Sequence, residues 1–330
     1  MSCITNIYRR LIFFTFFLTI ELIVFGAFVR LTNSGLGCPD WPGCYGQFSP
    51  YSALQNIKKE SENMPFGPVN IFKAWIEMIH RYIASILGLL IFSIFIIGYF
   101  YQTELNQSPL LALITFITVC IQGAFGAWTV THLLMPIIVT AHLLFGILTL
   151  GLITILKEKL FSIKKIDSDN RKLMILSIIG LVLICIQIGL GGWVSSNYAT
   201  LACTDFPKCQ GKWFPDMNFN EGFYIMRELG ISNNGELISQ NALTAIHWVH
   251  RNFAFIIISY FGFLCYFLIK RTILNKMSML ILSCLIIQLL TGLSIVFLES
   301  PLLFGILHHA GSIGLFLSNI IMIFRISKLK

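Results

Sequence analysis

The chain has 330 residues, of which 56% are hydrophobic and 12% are charged, and its mean hydropathy is +0.79. So apolar a composition excludes a soluble globular domain and indicates an integral membrane protein. The net charge of +8 comes largely from residues beside apolar segments, where they meet anionic lipid headgroups. Because no basic tail or stacking platform accompanies it, nucleic-acid binding is not expected.

Eight apolar segments are each long enough to cross a bilayer as a helix, which takes about 18 to 20 residues. In chain order they are 11–31, 76–100, 109–130, 134–156, 173–195, 241–269, 277–298 and 302–324. Strands of a membrane barrel alternate polar and apolar residues, and these segments do not. The sequence therefore predicts an all-α integral membrane protein with eight transmembrane helices.

Positive residues indicate the orientation of these helices, because Lys and Arg of short loops collect on the cytoplasmic side. They occur before the first segment, between the fourth and fifth, between the sixth and seventh, and after the eighth. Both termini are therefore expected in the cytoplasm, and the long loops at about 32–74 and 196–240 on the opposite side. The N-terminal stretch lacks the composition of an organelle transit peptide, which favours a bacterial plasma membrane with these loops in the periplasm.

The two long loops contain related stretches, GCPDWPGCYG at 37–46 and ACTDFPKCQG at 202–211. Cysteines in an oxidising compartment tend to pair, so the sequence predicts the disulfides Cys38–Cys44 and Cys203–Cys209. Three roles stay open for these cysteines: a staple that holds the loop, a redox-active pair, or a shared four-cysteine zinc site.

The cysteine stretches belong to a longer internal repeat. At an offset of 165 residues the matching pairs include Gly26 and Gly191, Cys38 and Cys203, Asp40 and Asp205, and Cys44 and Cys209; at 166 they include Gln122 and Gln288, Gly126 and Gly292, and His142 and His308. Each copy has four helices, an even number, so both enter the membrane in the same direction. The sequence predicts two tandem pseudo-symmetric four-helix bundles, 1–160 and 173–330, joined by a cytoplasmic linker at 161–172.

Four histidines lie near one end of the even-numbered helices: His80, His142, His250 and His308. Ionisable side chains inside a membrane are costly and face the bundle interior, so each is a candidate functional residue. Paired imidazoles on facing helices are a common ligand set for haem iron and predict one haem site in each half. Interhelical hydrogen bonding, zinc binding and proton relay are the alternatives, and His309 competes with its neighbour His308 as a ligand.

The two copies differ beside the first histidine of each pair. Glu77 precedes His80 by one helical turn, whereas His247 occupies the matching place before His250. This difference predicts chemistry in the first half and a permanent cofactor in the second. An ion pair with Arg81 or Lys73 is the plainer interpretation of the glutamate.

Arg81 and Arg251 directly follow the first histidine of each pair. A guanidinium group matches a carboxylate as a fork, which makes both arginines candidate contacts for haem propionates. Snorkelling toward the membrane surface would also account for them.

Taken together, these stretches resemble the heme A synthase family. The resemblance rests on GAFVRLTNSGLGCPDWPGCYG at 26–46, EMIHR at 77–81, VTAHL around His142, HR at 250–251 and LHHAG around His308. It extends over essentially the whole chain, and the combination is specific although each piece alone is weak.

The resemblance implies an oxidoreductase that oxidises a ring methyl of heme o to a formyl group by successive hydroxylations, which gives heme a for terminal oxidases. It implies that His250 and His308 hold a haem b cofactor. It also implies that heme o enters between His80 and His142, with Glu77 as proton acceptor or stabiliser of positive charge at the reacting carbon. The first cysteine pair is similar to one proposed in the family to assist electron or substrate handling.

The candidate partners are heme o, heme o synthase, membrane lipid and a second copy of this chain. The alternative function is a dihaem b-type membrane cytochrome that passes electrons between quinol and a partner. Such a carrier needs no carboxylate beside one iron, so the difference between Glu77 and His247 favours the enzyme.

Overall fold

The computed structural model describes residues 3–60, 70–160, 171–269 and 275–327, and these residues form helices with no named strand. Eight of the helices in these ranges are long and apolar enough to cross a membrane. They are α1 (Cys3–Leu31), α3 (Ile71–Phe100), α5 (Leu110–Thr131), α6 (Pro136–Lys159), α7 (Arg171–Ser196), α9 (Gln240–Ile269), α10 (Asn275–Phe297) and α11 (Leu302–Ser327). The short helices between them are α2 (Leu54–Glu60), α4 (Gln102–Leu105) and α8 (Phe219–Gly222). The predicted all-α fold with eight membrane helices is confirmed.

Most of the helices are longer than the apolar segments that predicted them. Helix α3 has 30 residues, or about 45 Å at 1.5 Å per residue, against a hydrocarbon core of about 30 Å. It begins at Ile71, and the Asn70 side chain caps it by accepting from the Lys73 N–H at 2.9 Å. Hydropathy detects the part of a helix that faces lipid, so the extra turns at the N-terminal end of α3 were not predicted.

The chain divides into two compact units, Met1–Ile153 and Thr154–Lys330. In the first unit α3 packs against α1 and α5. In the second unit both α7 and α10 pack against α9 and α11. The predicted linker at 161–172 lies outside the described residues except for Arg171 and Lys172, which begin α7.

Candidate functional site

Each unit carries a loop closed by a disulfide after its first membrane helix. Cys38–Cys44 and Cys203–Cys209 are both bonded, each with a Cα–Cα distance of 4.8 Å. The two predicted disulfides are confirmed. With all four loop sulfurs in disulfides, no thiolate of these loops is left for the four-cysteine zinc site that the sequence left open.

An aspartate inside each loop fixes the turn that follows the second cysteine. Asp40 accepts from the backbone N–H groups of Tyr45 and Gly46 at 2.5 and 2.8 Å. Asp205 makes the matching contacts in the second loop, at 2.6 and 2.9 Å. Gly46 and Gly211 have φ angles of +73° and +75°, which glycine adopts without strain. The repeated Cys-x-Asp-x-Pro-x-Cys-x-Gly pattern is therefore explained by loop geometry.

The carboxylate of the second loop has a perturbed pKa. Burial on its own would raise the pKa of Asp205, but the backbone N–H groups of Gly211 and Gln210 outweigh it and hold that pKa below its usual value. The carboxylate therefore contributes to the stability of its loop in the charged form.

Glu77 joins the first loop to helix α3. Its Oε2 accepts from the Cys38 N–H at 2.9 Å, and its Oε1 pairs with Arg81 Nη2 at 2.5 Å. Arg81 Nη1 also donates to the carbonyl oxygens of Asp40 and Gly43, at 2.8 and 2.6 Å. The ion pair that the sequence offered as the plainer interpretation is thus present. The same glutamate that is the catalytic candidate also holds the disulfide loop.

His247 occupies the corresponding place in the second unit. Its Nδ1 accepts from the Cys203 N–H at 3.2 Å. Arg251 donates to the carbonyl oxygens of Pro207 and Lys208 at 3.4 and 3.1 Å. The predicted difference between the copies therefore lies at the residue that receives the N–H of the first loop cysteine: a carboxylate in one unit and an imidazole in the other.

The two arginines differ in how fully their nitrogens are used. Both Nη atoms of Arg81 are bonded to Glu77 and the loop carbonyls. Arg251 has a buried Nη1 with no hydrogen-bond partner among the residues that the structure describes. Arg251 is therefore the better candidate of the two for a propionate contact.

Each candidate ligand packs against a glycine on a neighbouring helix of the same unit. The pairs are His80 with Gly26, His142 with Gly126, His250 with Gly191, and His308 with Gly292. A Cβ built on any of these glycines would lie 3.1 to 3.2 Å from an atom of the imidazole ring. The glycines therefore provide the space in which the four rings lie, and His308 rather than His309 is the residue placed in this way on α11.

The histidine pair of the second unit fits a single iron. The ring centroids of His250 and His308 are 6.5 Å apart, with an angle of 77° between the ring planes. Metal–imidazole bonds of about 2 Å, with about 1.2 Å from nitrogen to ring centroid, place two axial rings about 6.4 Å apart. The Nδ1 atoms have polar neighbours, Gln187 Nε2 at 3.3 Å and Thr291 Oγ1 at 3.1 Å, so the Nε2 atoms are the ones left for iron.

The histidines of the first unit are held differently. Nε2 is the atom of His80 that would lie closest to a Cβ on Gly26, at 3.1 Å. His142 Nε2 lies 3.4 Å from Gln122 Nε2, while His142 Nδ1 is buried and has no partner within the described ranges. His142 presents Cε1 and Nδ1 to Gly126, as His308 does to Gly292, whereas His80 presents Nε2 to Gly26 where His250 presents Cε1 to Gly191.

Sequence reasoning missed the polar side chains behind the histidines. Gln187 and Thr291 contact imidazole nitrogens from helices that carry no candidate ligand themselves. Their positions relative to the glycines give a signal that could have found them: Gln187 lies one turn before Gly191, and Thr291 directly precedes Gly292.

Comparison with known proteins covers nearly the whole chain. The family model COX15-CtaA, described as cytochrome oxidase assembly protein, matches residues 9–320. A heme A synthase of Shewanella oneidensis is 37% identical over 307 residues, which is 92% of each chain. Heme A synthases of Shouchella clausii and Halalkalibacterium halodurans are 27% and 25% identical, over 59% and 69% of this chain and 62% and 72% of their own.

Proposed function

The chain belongs to the COX15-CtaA family, and on that premise we propose that it is a heme A synthase, an oxidoreductase that converts a ring methyl of heme o to the formyl group of heme a. The observation that carries the proposal is the exchange at the residue that holds each disulfide loop, with Glu77 bonded to Cys38 and His247 bonded to Cys203. The 37% identity to the Shewanella oneidensis protein over most of both chains supports it.

In the second unit, His250 and His308 are the residues that would hold the iron of a haem b cofactor. The spacing of 6.5 Å between their ring centroids supports this assignment. Such a haem, when bound, supplies one-electron redox chemistry. The unpartnered Nη1 of Arg251 would meet a propionate, since a buried guanidinium donor favours a carboxylate partner.

In the first unit, His80 and His142 are the proposed contacts for the substrate heme o. With water as the proposed oxygen source, converting a methyl to a formyl group releases four protons and four electrons, and the electrons must pass to an external one-electron acceptor. Two successive hydroxylations followed by loss of water from the gem-diol satisfy this balance. Protons must leave the carbon at each stage, and positive charge develops there.

Glu77 is the proposed residue that meets this need. Cys38 N–H and Arg81 orient its two oxygens, and its residue surface is only 4% exposed. In so apolar a setting a fixed carboxylate stabilises developing positive charge far better than water-exposed groups do, and it can accept a proton. At the corresponding place in the second unit, His247 accepts from the loop cysteine instead.

The orientation and organisation are part of the proposal. The distribution of Lys and Arg supports cytoplasmic termini and disulfide loops on the periplasmic side of a bacterial inner membrane. The halves 1–160 and 173–330 would serve as the substrate half and the cofactor half. Heme o synthase is the proposed source of substrate, and a second copy of the chain is a candidate partner.

The experiment is to express the chain in a bacterial host that makes heme o but lacks a heme A synthase, and to identify the extracted pigments by mass. Heme a should appear with the native chain and be lost in Glu77→Gln, while His247→Gln should retain production. Only haem b with no heme a, in cells shown to contain heme o, would contradict the proposal and favour the electron-carrying cytochrome.

A further inference from the structure

The histidines of the second unit are held by side chains that the first unit lacks. At the offsets that align the two copies, Leu22 corresponds to Gln187 and Phe125 corresponds to Thr291. Leu22 is buried on α1, and Phe125 on α5 stacks at 5.0 Å on Phe145. Neither side chain can hydrogen-bond an imidazole, so the two units differ in the support of their candidate ligands as well as in Glu77.

Thr291 determines which nitrogen of His308 carries the proton. The Thr291 hydroxyl donates its only proton to the Ile287 carbonyl at 2.7 Å. It must therefore accept in its 3.1 Å contact with His308 Nδ1, so this nitrogen carries a hydrogen. The Nε2 lone pair of His308 is then available for a metal.

Gln187 contacts His250 from α7. Its Nε2 donates to the His250 backbone carbonyl at 3.2 Å and lies 3.3 Å from His250 Nδ1. Both histidines of the second unit therefore have a polar side chain next to Nδ1.

The first unit has apolar side chains at both of these positions. His142 Nδ1 is buried and has no partner among the described residues, where Phe125 replaces the threonine. Gln122 Nε2 contacts the other nitrogen of this ring, Nε2, at 3.4 Å. His80 turns its Nε2 toward α1, where Leu22 has no polar group in its side chain. The ligands of the first unit thus lack the polar side chains that stand behind Nδ1 in the second.

We infer that Gln187 and Thr291 are positioning residues that make the second unit retain its haem, and that Leu22 and Phe125 leave the ligands of the first unit free to turn, so that this unit takes up and releases porphyrin. The inference rests on the proposed function for the identity of the two porphyrins. It assigns retention and exchange to the side chains behind the histidines, since partners of a ligating imidazole fix its orientation and raise its basicity.

The test measures how fast each porphyrin leaves the purified protein. Full-length protein loaded with haem b and heme o is mixed with excess apomyoglobin, and the pigments retained are followed by mass. Losing one hydrogen bond of about 1 kcal/mol should change a release rate about fivefold. Thr291→Val, which keeps the shape, and Gln187→Leu should each speed haem b release about fivefold. Leu22→Gln should slow heme o release by a similar factor, and Leu22→Met should not.

A second measurement, the reduction potential of the bound haem, distinguishes positioning of the ligand from general destabilisation of the site. Removing the acceptor of the Nδ1–H makes the ligand less basic, so Thr291→Val should raise the reduction potential of the retained haem, while the matched hydroxyl deletion Thr115→Val on α5 should not. Thr115 bonds only its own helix, at Leu111. Unchanged release and potential in both Thr291→Val and Gln187→Leu would overturn the inference, even if Leu22→Gln failed to fold.

The outcomes distinguish this inference from the proposed function. A chain that makes no heme a still permits the release assay, because the assay needs only bound porphyrin. If Leu22→Gln slowed the loss of haem b instead of heme o, the role of the supporting side chains would stand and the assignment of the substrate to the first unit would be wrong.

Discussion

Replacing Arg81 by Gln should loosen the first disulfide loop far more than the same change at Arg251 loosens the second. Arg81 links helix α3 to the loop through Glu77 and two carbonyl oxygens, at distances of 2.5 to 2.8 Å. Both sulfurs beneath it are buried, with Cys38 and Cys44 at 0% exposure. A reductant can reach this disulfide only when the loop opens, so its reduction rate reports the free energy of opening.

The structure gives the size of the effect. Breaking a buried ion pair by removing one partner costs about 3 to 5 kcal/mol, and the 12% exposure of the Arg81 side chain reduces this to about 2 to 3 kcal/mol. With tenfold per 1.4 kcal/mol, Arg81→Gln should speed reduction of Cys38–Cys44 roughly 30- to 150-fold. Arg251 has two longer contacts to carbonyls, at 3.1 and 3.4 Å, and lies over the Phe206 ring of the loop at 5.2 Å; together these are worth about 1.5 kcal/mol or about tenfold.

The assay is reduction by a phosphine in detergent, with quenching by alkylation and mass analysis of the two loop peptides. Each protein contains both disulfides, so the one in the unaltered unit is an internal control. Arg81→Lys should restore part of the protection, because an ammonium keeps the charge but cannot reach Glu77 and both carbonyls as a fork. Equal reduction rates in Arg81→Gln and Arg251→Gln would refute the role given to the ion pair.

Three further outcomes are expected. His308→Ala should empty the cofactor site of the second unit, seen as loss of haem b by pigment mass with the helical circular dichroism unchanged. Gly292→Ala should displace the His308 ring, since the new Cβ would lie 3.2 Å from it, and we expect this to weaken haem binding by about 1 to 3 kcal/mol. The control Gly262→Ala should leave haem binding unchanged, because nothing lies within 4 Å of the new Cβ. The pKa of Asp205 in the folded protein is below its usual value, so its contribution to loop stability is complete above about pH 3.9 and is lost as pH falls through the folded pKa. The second disulfide should therefore be reduced faster below about pH 4. Asp205→Asn should remove this pH dependence.

The fold and the disulfides were predictable because their signals are local. An apolar run of sufficient length leaves a helix as the solution that satisfies its own backbone in lipid. Two cysteines six positions apart in a loop predicted to lie in an oxidising compartment are within easy reach of each other. The internal repeat then identified the four histidines as two equivalent pairs, since each occupies the same place in its copy.

The contacts around Glu77 were not predictable in the same way. The glutamate and Cys38 are 39 positions apart, and nothing in either stretch shows that the loop folds back onto α3. Gly37 permits that approach: a Cβ there would lie 2.7 Å from the backbone of Lys73 and Ala74. The sequence indicated that Glu77 differs from His247, but only the packed loop shows that both receive the N–H of a cysteine.

Three differences between the two units lie at the histidines or at the loop that packs beside them. Leu22 and Phe125 in the first unit replace the side chains that hold imidazole nitrogens in the second. Glu77 adds a carboxylate where the second unit has an imidazole. Two of the three changes weaken the hold on the ligands and the third introduces a group suited to proton transfer. A site that must release its product needs the first kind of change and a site of chemistry needs the second, so their joint occurrence in one unit is the strongest structural reason to place the substrate there.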